Sequence, residues 1–409
     1  MRALRAAWVR HGELWLRIAA TLFAIAALVY LPYKFVQLTS GGDRLDAIDL
    51  LLRHAEVRAW FAGEPIYETM RSASYPPATQ LLLWPFLGWT SDTAVVRWTW
   101  AALCAAALGA LVWTVVRVTG ATTSRERLLA AMIPLGLYAT GGTIGNGQLG
   151  IHVVLGLALL PALLSRARDD PSLRHDALLA AVFVLVLVKP NLTAPFAWLV
   201  LLVPGRPRPA ILVAAGYAAL TAVSAAFQAE SPVSLMADWL GRIEADVASS
   251  SSNAGFGSLN DLLLRLGLPD LGAEVAVAVF ALFGIWAWRH RRAPVWLLAG
   301  VAAVVSRVWT YHAWYDDLIL LIAMIALFRL AKGLDSPRGD DPVAALILAL
   351  LLAGMIAPGG HYLLPEPLRS IYAALLIGVW LVTLAFLALR ARDAVAVEPR
   401  SPSLLTRRG

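Results

Sequence analysis

Long apolar runs separated by short polar connections make up most of this 409-residue chain. A helix needs about 20 apolar residues to cross the hydrocarbon core of a bilayer, and the runs are near that length. The alternating pattern of a membrane barrel strand does not recur. The sequence therefore predicts an all-α polytopic membrane protein with about twelve transmembrane helices. These fall at approximately 18–36, 94–117, 128–143, 149–165, 177–189, 191–204, 210–228, 273–288, 294–309, 315–331, 343–357 and 369–389.

The charge of the connections predicts which side of the membrane each one occupies. Six connections, among them "SRARDDPSLRH" and "RHRR", are rich in Arg, which favours the cytoplasmic side. The segment "YPPATQLLLWPF", residues 75–86, is too short for a comfortable span, so we expect a juxtamembrane helix on the outer face. Two long outer segments remain, 37–93 and 229–272. Residues up to 390 form a single integral membrane domain in this interpretation, and 391–409 form a disordered cytoplasmic tail.

Composition supports the membrane assignment and excludes two other classes. Hydrophobic residues make up 59% of the chain and charged residues only 15%, against about a quarter in average globular proteins. The net charge of +7 does not indicate a nucleic-acid-binding protein, because the basic residues punctuate the apolar runs instead of forming a patch. The single cysteine, Cys104, excludes an internal disulfide framework. The first apolar run lacks a small-x-small cleavage site, so we expect an uncleaved first span.

The first outer segment carries the strongest chemical pattern. Asp49, Arg53 and Glu56 fall on one face of a predicted helix,. Gly63 is expected to end that helix. The helix is followed by Tyr75 and two prolines, which lead the chain to the membrane surface. The alternative is an interfacial amphipathic helix whose charges are simply solvated.

Three further ionisable residues stand out near the ends of apolar runs. Lys189 follows several turns of apolar residues, and an ionisable residue at such a depth is a functional candidate; its alternative is snorkelling to the headgroups. Arg307 and His312 lie in "RVWTYHAWYDD", which otherwise matches an interfacial aromatic belt,. Capping and helix-dipole effects account for at least one of Asp316 and Asp317. The spacing of this cluster is not a recognised metal-ligand set, so no metal is predicted.

Two polar turns complete the candidate chemistry. In "GNGQLGIH", Asn146 and Gln148 offer amide groups that can hydrogen-bond to a substrate, and Gly145 and Gly147 would allow a tight turn,. A sharp connection without function explains the same residues. The stretch "SSSSNAGFGSLN" fits a mobile lid or plain disorder equally well.

The order of these motifs resembles glycosyltransferase family 87. That family belongs to the type C membrane glycosyltransferases, which use polyprenyl-phosphate sugars. The resemblance covers roughly residues 20–330. The motifs that carry it are Asp49, the Gly63-x-x-x-Tyr67 spacing, Tyr75-Pro76-Pro77, Gly147-Gln148, Lys189-Pro190, Ser258-Leu259 and "WTYHAWYDD".

The resemblance implies transfer of a sugar, by analogy mannose, to a hydroxyl of a lipid or glycan acceptor. Such a reaction needs a carboxylate base, cations for the leaving phosphate and a groove for the lipid tail. Asp49 is the expected base, with Asp46 as the alternative. Lys189, Arg307 and His312 are expected to hold the phosphate. The remaining residues expected to bind substrate are Arg53, Tyr75, Asn146 and Gln148.

The resemblance also implies a location and a set of partners. The protein is expected in the plasma (inner) membrane, with its active site on the extracytoplasmic side. Expected partners are the polyprenyl-phosphate sugar donor, the acceptor and membrane lipids, with no nucleic acid and no cofactor. A lipid-linked sugar flippase and a scaffold without chemistry are the alternatives. A flippase predicts repeat-related halves and ionisable residues at the bilayer midplane, and neither is visible in the sequence.

Overall fold

A computed structural model describes residues 2–41, 47–250, 272–310, 312–336 and 339–397, with 259, 263 and 267 singly. Described residues are almost entirely helical, as predicted. The helices are α1 (Arg2–Ser40), α2 (Ile48–Phe61), α3 (Ile66–Thr69), α4 (Pro77–Leu87), α5 (Thr93–Val118), α6 (Ser124–Gly136), α7 (Tyr138–Asn146), α8 (Gly150–Asp169), α9 (Leu173–Val186), α10 (Pro190–Leu202), α11 (Arg208–Ala225), α12 (Pro232–Ser250), α13 (Gly272–His290), α14 (Val295–Val308), a 3₁₀ helix (Trp314–Ile319), α15 (Leu320–Ala331), α16 (Pro342–Met355), α17 (Gly360–Leu363) and α18 (Leu368–Val397).

Six helices in the described part of the chain are long and apolar enough to cross a membrane. They are Gly12–Ser40, Thr93–Val118, Gly150–Asp169, Arg208–Ala225, Gly272–His290 and Leu368–Ala396. Three shorter apolar helices, α10, α14 and α16, accompany them. The multi-pass helical architecture is therefore confirmed, while the count of about twelve spans stays a prediction.

Some predicted spans are broken into two helices, and the break between α6 and α7 shows why. Leu137 leaves the helix for an extended conformation and pairs with Ile356, which follows α16, in an antiparallel bridge. The Ala357 amide donates to the Gly136 carbonyl at 2.8 Å. Irregular backbone inside a bilayer needs such protein partners, so the two helix ends satisfy each other.

Helix α2 is held firmly against the helical bundle. The helix begins at Ile48. The preceding residue, Ala47, has a left-handed backbone conformation (φ 52°), and its amide donates to the Gly145 carbonyl at 3.1 Å. The helix ends at Phe61, and Gly63 adopts φ 82°, which confirms the predicted stop. Trp60 is fully buried and donates to the Ser224 carbonyl at 3.0 Å. A helix packed in this way gives its polar side chains fixed positions.

Helix α4 has 11 residues, or about 16 Å of length, which is half the thickness of a hydrocarbon core. It packs mainly against α11 and α2. The Ser224 hydroxyl donates to the Pro77 carbonyl at 2.6 Å, and the Thr79 hydroxyl donates to the Val188 carbonyl at 3.0 Å. The second bond ties the start of α4 to the residue preceding Lys189.

Two boundaries differ from the sequence-based interpretation. Helix α18 continues to Val397, so residues 391–397, expected in the disordered tail, are helical; 398–409 lie outside the described residues. Within the second outer segment, α12 is described and most of "SSSSNAGFGSLN" is not. The lid prediction therefore lies largely outside the described residues.

Candidate active site

A short 3₁₀ helix, Trp314–Ile319, forms the centre of the polar site. The Asp316 amide donates to the Ala313 carbonyl at 2.9 Å, which closes its first turn. Trp314 lies directly over Gly142 of α7, where a Cβ atom would approach the indole to 1.9 Å. The Thr143 hydroxyl donates to the Tyr315 carbonyl at 3.3 Å. These contacts fix the directions in which Tyr315 and Asp316 project.

Lys189, Asp316 and His312 form one buried cluster. Lys189 stands between α9 and α10, where its backbone is not helical (φ −128°, ψ 76°). Its ammonium group forms an ion pair with Oδ1 of Asp316. The Nδ1 atom of His312 lies 3.3 Å from Oδ2 of the same carboxylate. None of the three side chains has appreciable contact with solvent.

Gln148 connects this cluster to the first outer segment. Its amide nitrogen donates to the Tyr315 hydroxyl at 3.1 Å, and its amide oxygen accepts from the Tyr75 hydroxyl at 3.3 Å. The Lys189 ammonium lies 5.2 Å from the centre of the Tyr315 ring. Gly147, in the left-handed region (φ 69°), makes the turn that aims Gln148 inward.

Arg53 extends the network along α2. Its guanidinium lies 4.5 Å from the centre of the Tyr75 ring, forms an ion pair with Glu56 at 2.6 Å and donates to the Ser72 carbonyl at 2.7 Å. Arg53 is 8% exposed and Glu56 fully buried, so these charges are not the solvated charges of an interfacial helix. The ion-pair partner of Arg53 is Glu56, on the helix face that the sequence predicted for both.

Asp49 lies in the first turn of α2 and is half-buried. Its charge acts on two members of the network. Burial raises the pKa of Tyr75, Lys189 and Arg53 lower it, and the charges of Asp316 and Asp49 raise it further. Burial lowers the pKa of Lys189, but Asp316, Tyr75 and Asp49 raise it above its ordinary value. The carboxylate is therefore close to the network, at its more open edge.

The cluster around Asp316 holds fixed charges. Burial alone would raise the pKa of Asp316, but Lys189 and His312 lower it below the ordinary value, so the carboxylate is ionised. Burial lowers the pKa of His312 despite the neighbouring carboxylate, so the imidazole is neutral at pH 7. The site thus brings together a cation from the segment between α9 and α10 and an anion and a neutral ring from the segment 312–316.

Two of the predicted substrate-binding residues have other contacts. Arg307 is fully buried, forms an ion pair with Asp317 and stacks 4.7 Å from the centre of the Trp380 ring. The same Asp317 accepts from the Tyr138 hydroxyl. Asp317 directly follows Asp316 in the chain, so Arg307 pairs beside the cluster, and its phosphate-binding role stays a prediction. Asn146 is half-buried at the end of α7, and no side-chain hydrogen bond joins it to the described network.

An apolar groove of about 620 Å³ lies between α9, α10, α11 and α12. Ligand pockets typically measure about 300–1,000 Å³. One wall carries Phe183 and Leu187, which precede Lys189 on the chain, and Tyr217 and Thr221 supply its few polar groups. The lining residues are Phe183, Leu187, Ala197, Val200, Leu201, Ala210, Val213, Ala214, Tyr217, Ala218, Thr221, Pro232, Val233 and Met236.

Asp316, Tyr315 and Glu56 belong to the network, although the sequence patterns did not single them out as site residues. Helix capping was a sufficient local explanation for Asp316. Tyr315 was assigned to an aromatic belt, and its hydroxyl partner could not be read from sequence because Gln148 is distant in the chain. Gly145, expected in a turn, lies inside α7 and packs against the Gln37 side chain. Asp46 and Ser258 lie outside the described residues.

In the described part of the chain, no group of three or more His, Cys, Asp or Glu side chains is arranged to hold an ion. The family model described as "Glycosyltransferase family 87" matches residues 74–310, which is more than half of the chain. Tyr75, Gln148 and Lys189 fall inside the match, whereas Asp49 precedes it. No curated protein and no solved structure matches.

Proposed function

Because the chain belongs to glycosyltransferase family 87, we propose that it transfers a sugar from a polyprenyl phosphate to a hydroxyl of a lipid or glycan acceptor. Asp49 acts as the base in this scheme. The sugar is mannose by analogy with the family. The acceptor is defined only by its chemistry, an alcohol presented at the membrane surface.

The observation that carries the proposal is the meeting of distant segments around one polar site. Arg53, Tyr75, Gln148, Lys189 and His312 come from five separate parts of the chain. The hydrogen bonds of Gln148 and the contacts of Tyr315 and Asp316 connect them. Burying this many polar groups costs free energy unless they are paired, and perturbed ionisable groups cluster at functional sites. The network therefore favours chemistry over a purely structural role.

The transfer proceeds as a single displacement. The acceptor oxygen attacks the anomeric carbon, and a new carbon–oxygen bond forms. Asp49 accepts the proton of the attacking hydroxyl. The bond from the anomeric carbon to the phosphate oxygen breaks, and the polyprenyl phosphate leaves with the electron pair. The configuration inverts in this single step. One carboxylate suffices because the phosphate leaves as an anion, whereas the leaving oxygen in glycosidases needs a proton from a second carboxyl group.

Lys189 is the cation that we assign to the donor phosphate. An ammonium group carries three N–H donors. The Lys189 ammonium donates to the Asp316 carboxylate, and its remaining N–H groups can donate to phosphate oxygens. The apolar groove would hold the first isoprene units, since Leu187 in its wall lies two residues before Lys189. Burial of isoprenoid carbon in such a groove gains about 25 cal/mol per Å² of apolar surface.

Charge distribution supports an active site on the extracytoplasmic side of the plasma membrane. Helix α8 begins at Gly150, next to Gln148, and ends with Arg166 and Arg168 in its last turn. Its 20 residues span about 30 Å, which matches a hydrocarbon core. Arg-rich connections favour the cytoplasmic side, so the polar network falls at the opposite surface.

Purified protein in nanodiscs, incubated with radiolabelled polyprenyl-phosphate mannose and total membrane lipid, tests the proposed function. We expect a labelled lipid or glycan product and release of polyprenyl phosphate. A labelled nucleotide sugar serves as the matched control and is expected to give no product. Product formed from the nucleotide sugar would refute the donor assignment. Movement of the intact labelled donor across a liposome membrane without bond cleavage would instead favour the flippase alternative.

A further inference from the structure

Asp316 contacts two residues of the site with its two carboxylate oxygens. Oδ1 pairs with the Lys189 ammonium, and Oδ2 faces Nδ1 of His312 at 3.3 Å. Asp316 is 3% exposed and His312 is fully buried. Asp316 lies in the 3₁₀ helix and His312 lies two residues before its start, so the carboxylate connects the helix to the segment that leads into it.

This arrangement determines which nitrogen of His312 carries the proton. A neutral imidazole has one N–H donor and one lone-pair acceptor. The hydrogen bond at one ring nitrogen decides the state of the other. An ionised carboxylate accepts hydrogen bonds only, so the proton of His312 lies on Nδ1. The lone pair then lies on Nε2.

The Nε2 atom is buried and has no hydrogen-bond partner among the described residues. An unpaired buried acceptor costs about 1–3 kcal/mol, and such an atom in a native protein usually has a bound molecule as its partner. That molecule must supply a donor. The ionised oxygens of the donor's phosphodiester only accept hydrogen bonds, so they are the wrong partners for this nitrogen.

We propose that Asp316 is a positioning residue that fixes His312 in the Nδ1–H tautomer, so that Nε2 accepts a hydrogen bond from a substrate hydroxyl. The inference rests on the proposed function and changes one assignment within it. His312, expected from the sequence to hold phosphate, instead recognises the sugar or the acceptor alcohol. Lys189, held by the same Asp316, remains the group that faces the phosphate.

The tautomer is measured directly by nitrogen-15 NMR on full-length protein with labelled histidine in nanodiscs. The chain has seven histidines, so His312→Gln assigns the signal by its loss. Wild-type protein is expected to show Nδ1 protonated and Nε2 unprotonated. Asp316→Asn is expected to lose this single state, whereas Asp317→Asn, the neighbouring buried carboxylate paired with Arg307, is expected to keep it. Protonated Nε2 in wild type, or an unchanged tautomer in Asp316→Asn, would overturn the proposal.

Ligand additions identify the hydroxyl. The Asp49→Asn variant is used so that no turnover occurs. Polyprenyl phosphate alone is expected to leave the Nε2 signal unchanged, because it brings no sugar hydroxyl. A shift on adding polyprenyl-phosphate mannose assigns the hydroxyl to the donor, and a shift only after adding membrane lipid assigns it to the acceptor. Protonation of Nε2 by polyprenyl phosphate alone, or no shift with any addition, contradicts the proposal.

Turnover gives a second readout that separates this inference from the proposed function. His312→Gln keeps a hydrogen-bond acceptor and is expected to retain more activity than His312→Lys, which offers only donors; the reverse order would refute the acceptor role. Asp316→Asn is expected to lower kcat about a hundredfold, the lower range for loss of a proton-handling group. If wild-type protein uses no lipid-linked sugar, the proposed function fails, while the tautomer measurement still decides the role of Asp316.

Discussion

Replacing Lys189 with Met tests whether the Lys189–Asp316 pair is a single buried unit. The two residues are 5% and 3% exposed, so either charge left alone has little access to water. Breaking a buried pair by removing one partner costs about 3–5 kcal/mol. Lys189→Met and Asp316→Leu are each expected to lower the unfolding free energy by that amount. The double variant buries no unpaired charge, so the coupling free energy should exceed about 2 kcal/mol.

The assay is unfolding in detergent micelles followed by tryptophan fluorescence, for which the 16 tryptophans give a strong signal. Wild type, both single variants and the double variant form one thermodynamic cycle. A matched cycle on the exposed pair Arg369–Glu366, whose charged atoms lie 3.9 Å apart, should give a coupling below about 1 kcal/mol. Additive effects of the Lys189 and Asp316 substitutions, within about 0.5 kcal/mol, would refute the description of a closed buried pair.

Three further substitutions test the supports of the site. Gly147→Ala places a Cβ atom 2.4 Å from Leu50 Cβ in a residue whose φ is 69°, so we expect a loss of about 1–3 kcal/mol in stability and reduced turnover. Thermal unfolding and product formation measure the two effects, and wild-type values for both would contradict the packing. Gln148→Leu removes the acceptor of the Tyr75 hydroxyl and is expected to lower the unfolding free energy by about 1–3 kcal/mol. Gln148→Glu keeps that acceptor and should lower it less; equal losses would argue against the Tyr75–Gln148 hydrogen bond. Ala214→Phe fills the apolar groove and should raise KM for the lipid donor with unchanged thermal stability; an unchanged KM would place the isoprenoid elsewhere.

The fold class could be predicted because it depends on local composition. Apolar runs of membrane length and Arg-rich connections are visible in any window of the sequence, and so is the Gly63 stop of α2. Helix breaks such as Leu137 could not be predicted, because the bridge to Ile356 depends on a residue 219 positions later. A break of this kind divides the predicted span 128–143 into α6 and α7.

Several residues of the site could be predicted from the sequence, but the partners with which they interact could not. Lys189 stood out because a charge in a long apolar stretch is costly, and it does lie in the polar network. Its partner Asp316 was not identified, since a carboxylate at a helix start already has a sufficient local explanation. Arg307 is still expected to hold phosphate, but its ion pair with Asp317 and its stacking on Trp380 could not be read from the sequence, because they depend on packing between α14 and α18. Sequence patterns identify ionisable groups whose burial costs free energy. The interaction partners of those groups are set by the three-dimensional fold.

Sugar transfer by Asp49→Asn, with donor binding measured on the same preparation, tests the central claim most directly. A base removed from a displacement reaction lowers turnover by about 10²–10⁴-fold, while the amide keeps the shape of the side chain. We therefore expect turnover to fall by at least about a hundredfold, with unchanged binding of polyprenyl-phosphate mannose and unchanged thermal stability. Asp46→Asn, the matched control three residues earlier, should retain wild-type turnover. Wild-type turnover in Asp49→Asn, or its loss in Asp46→Asn alone, would contradict the assignment of Asp49 as the base.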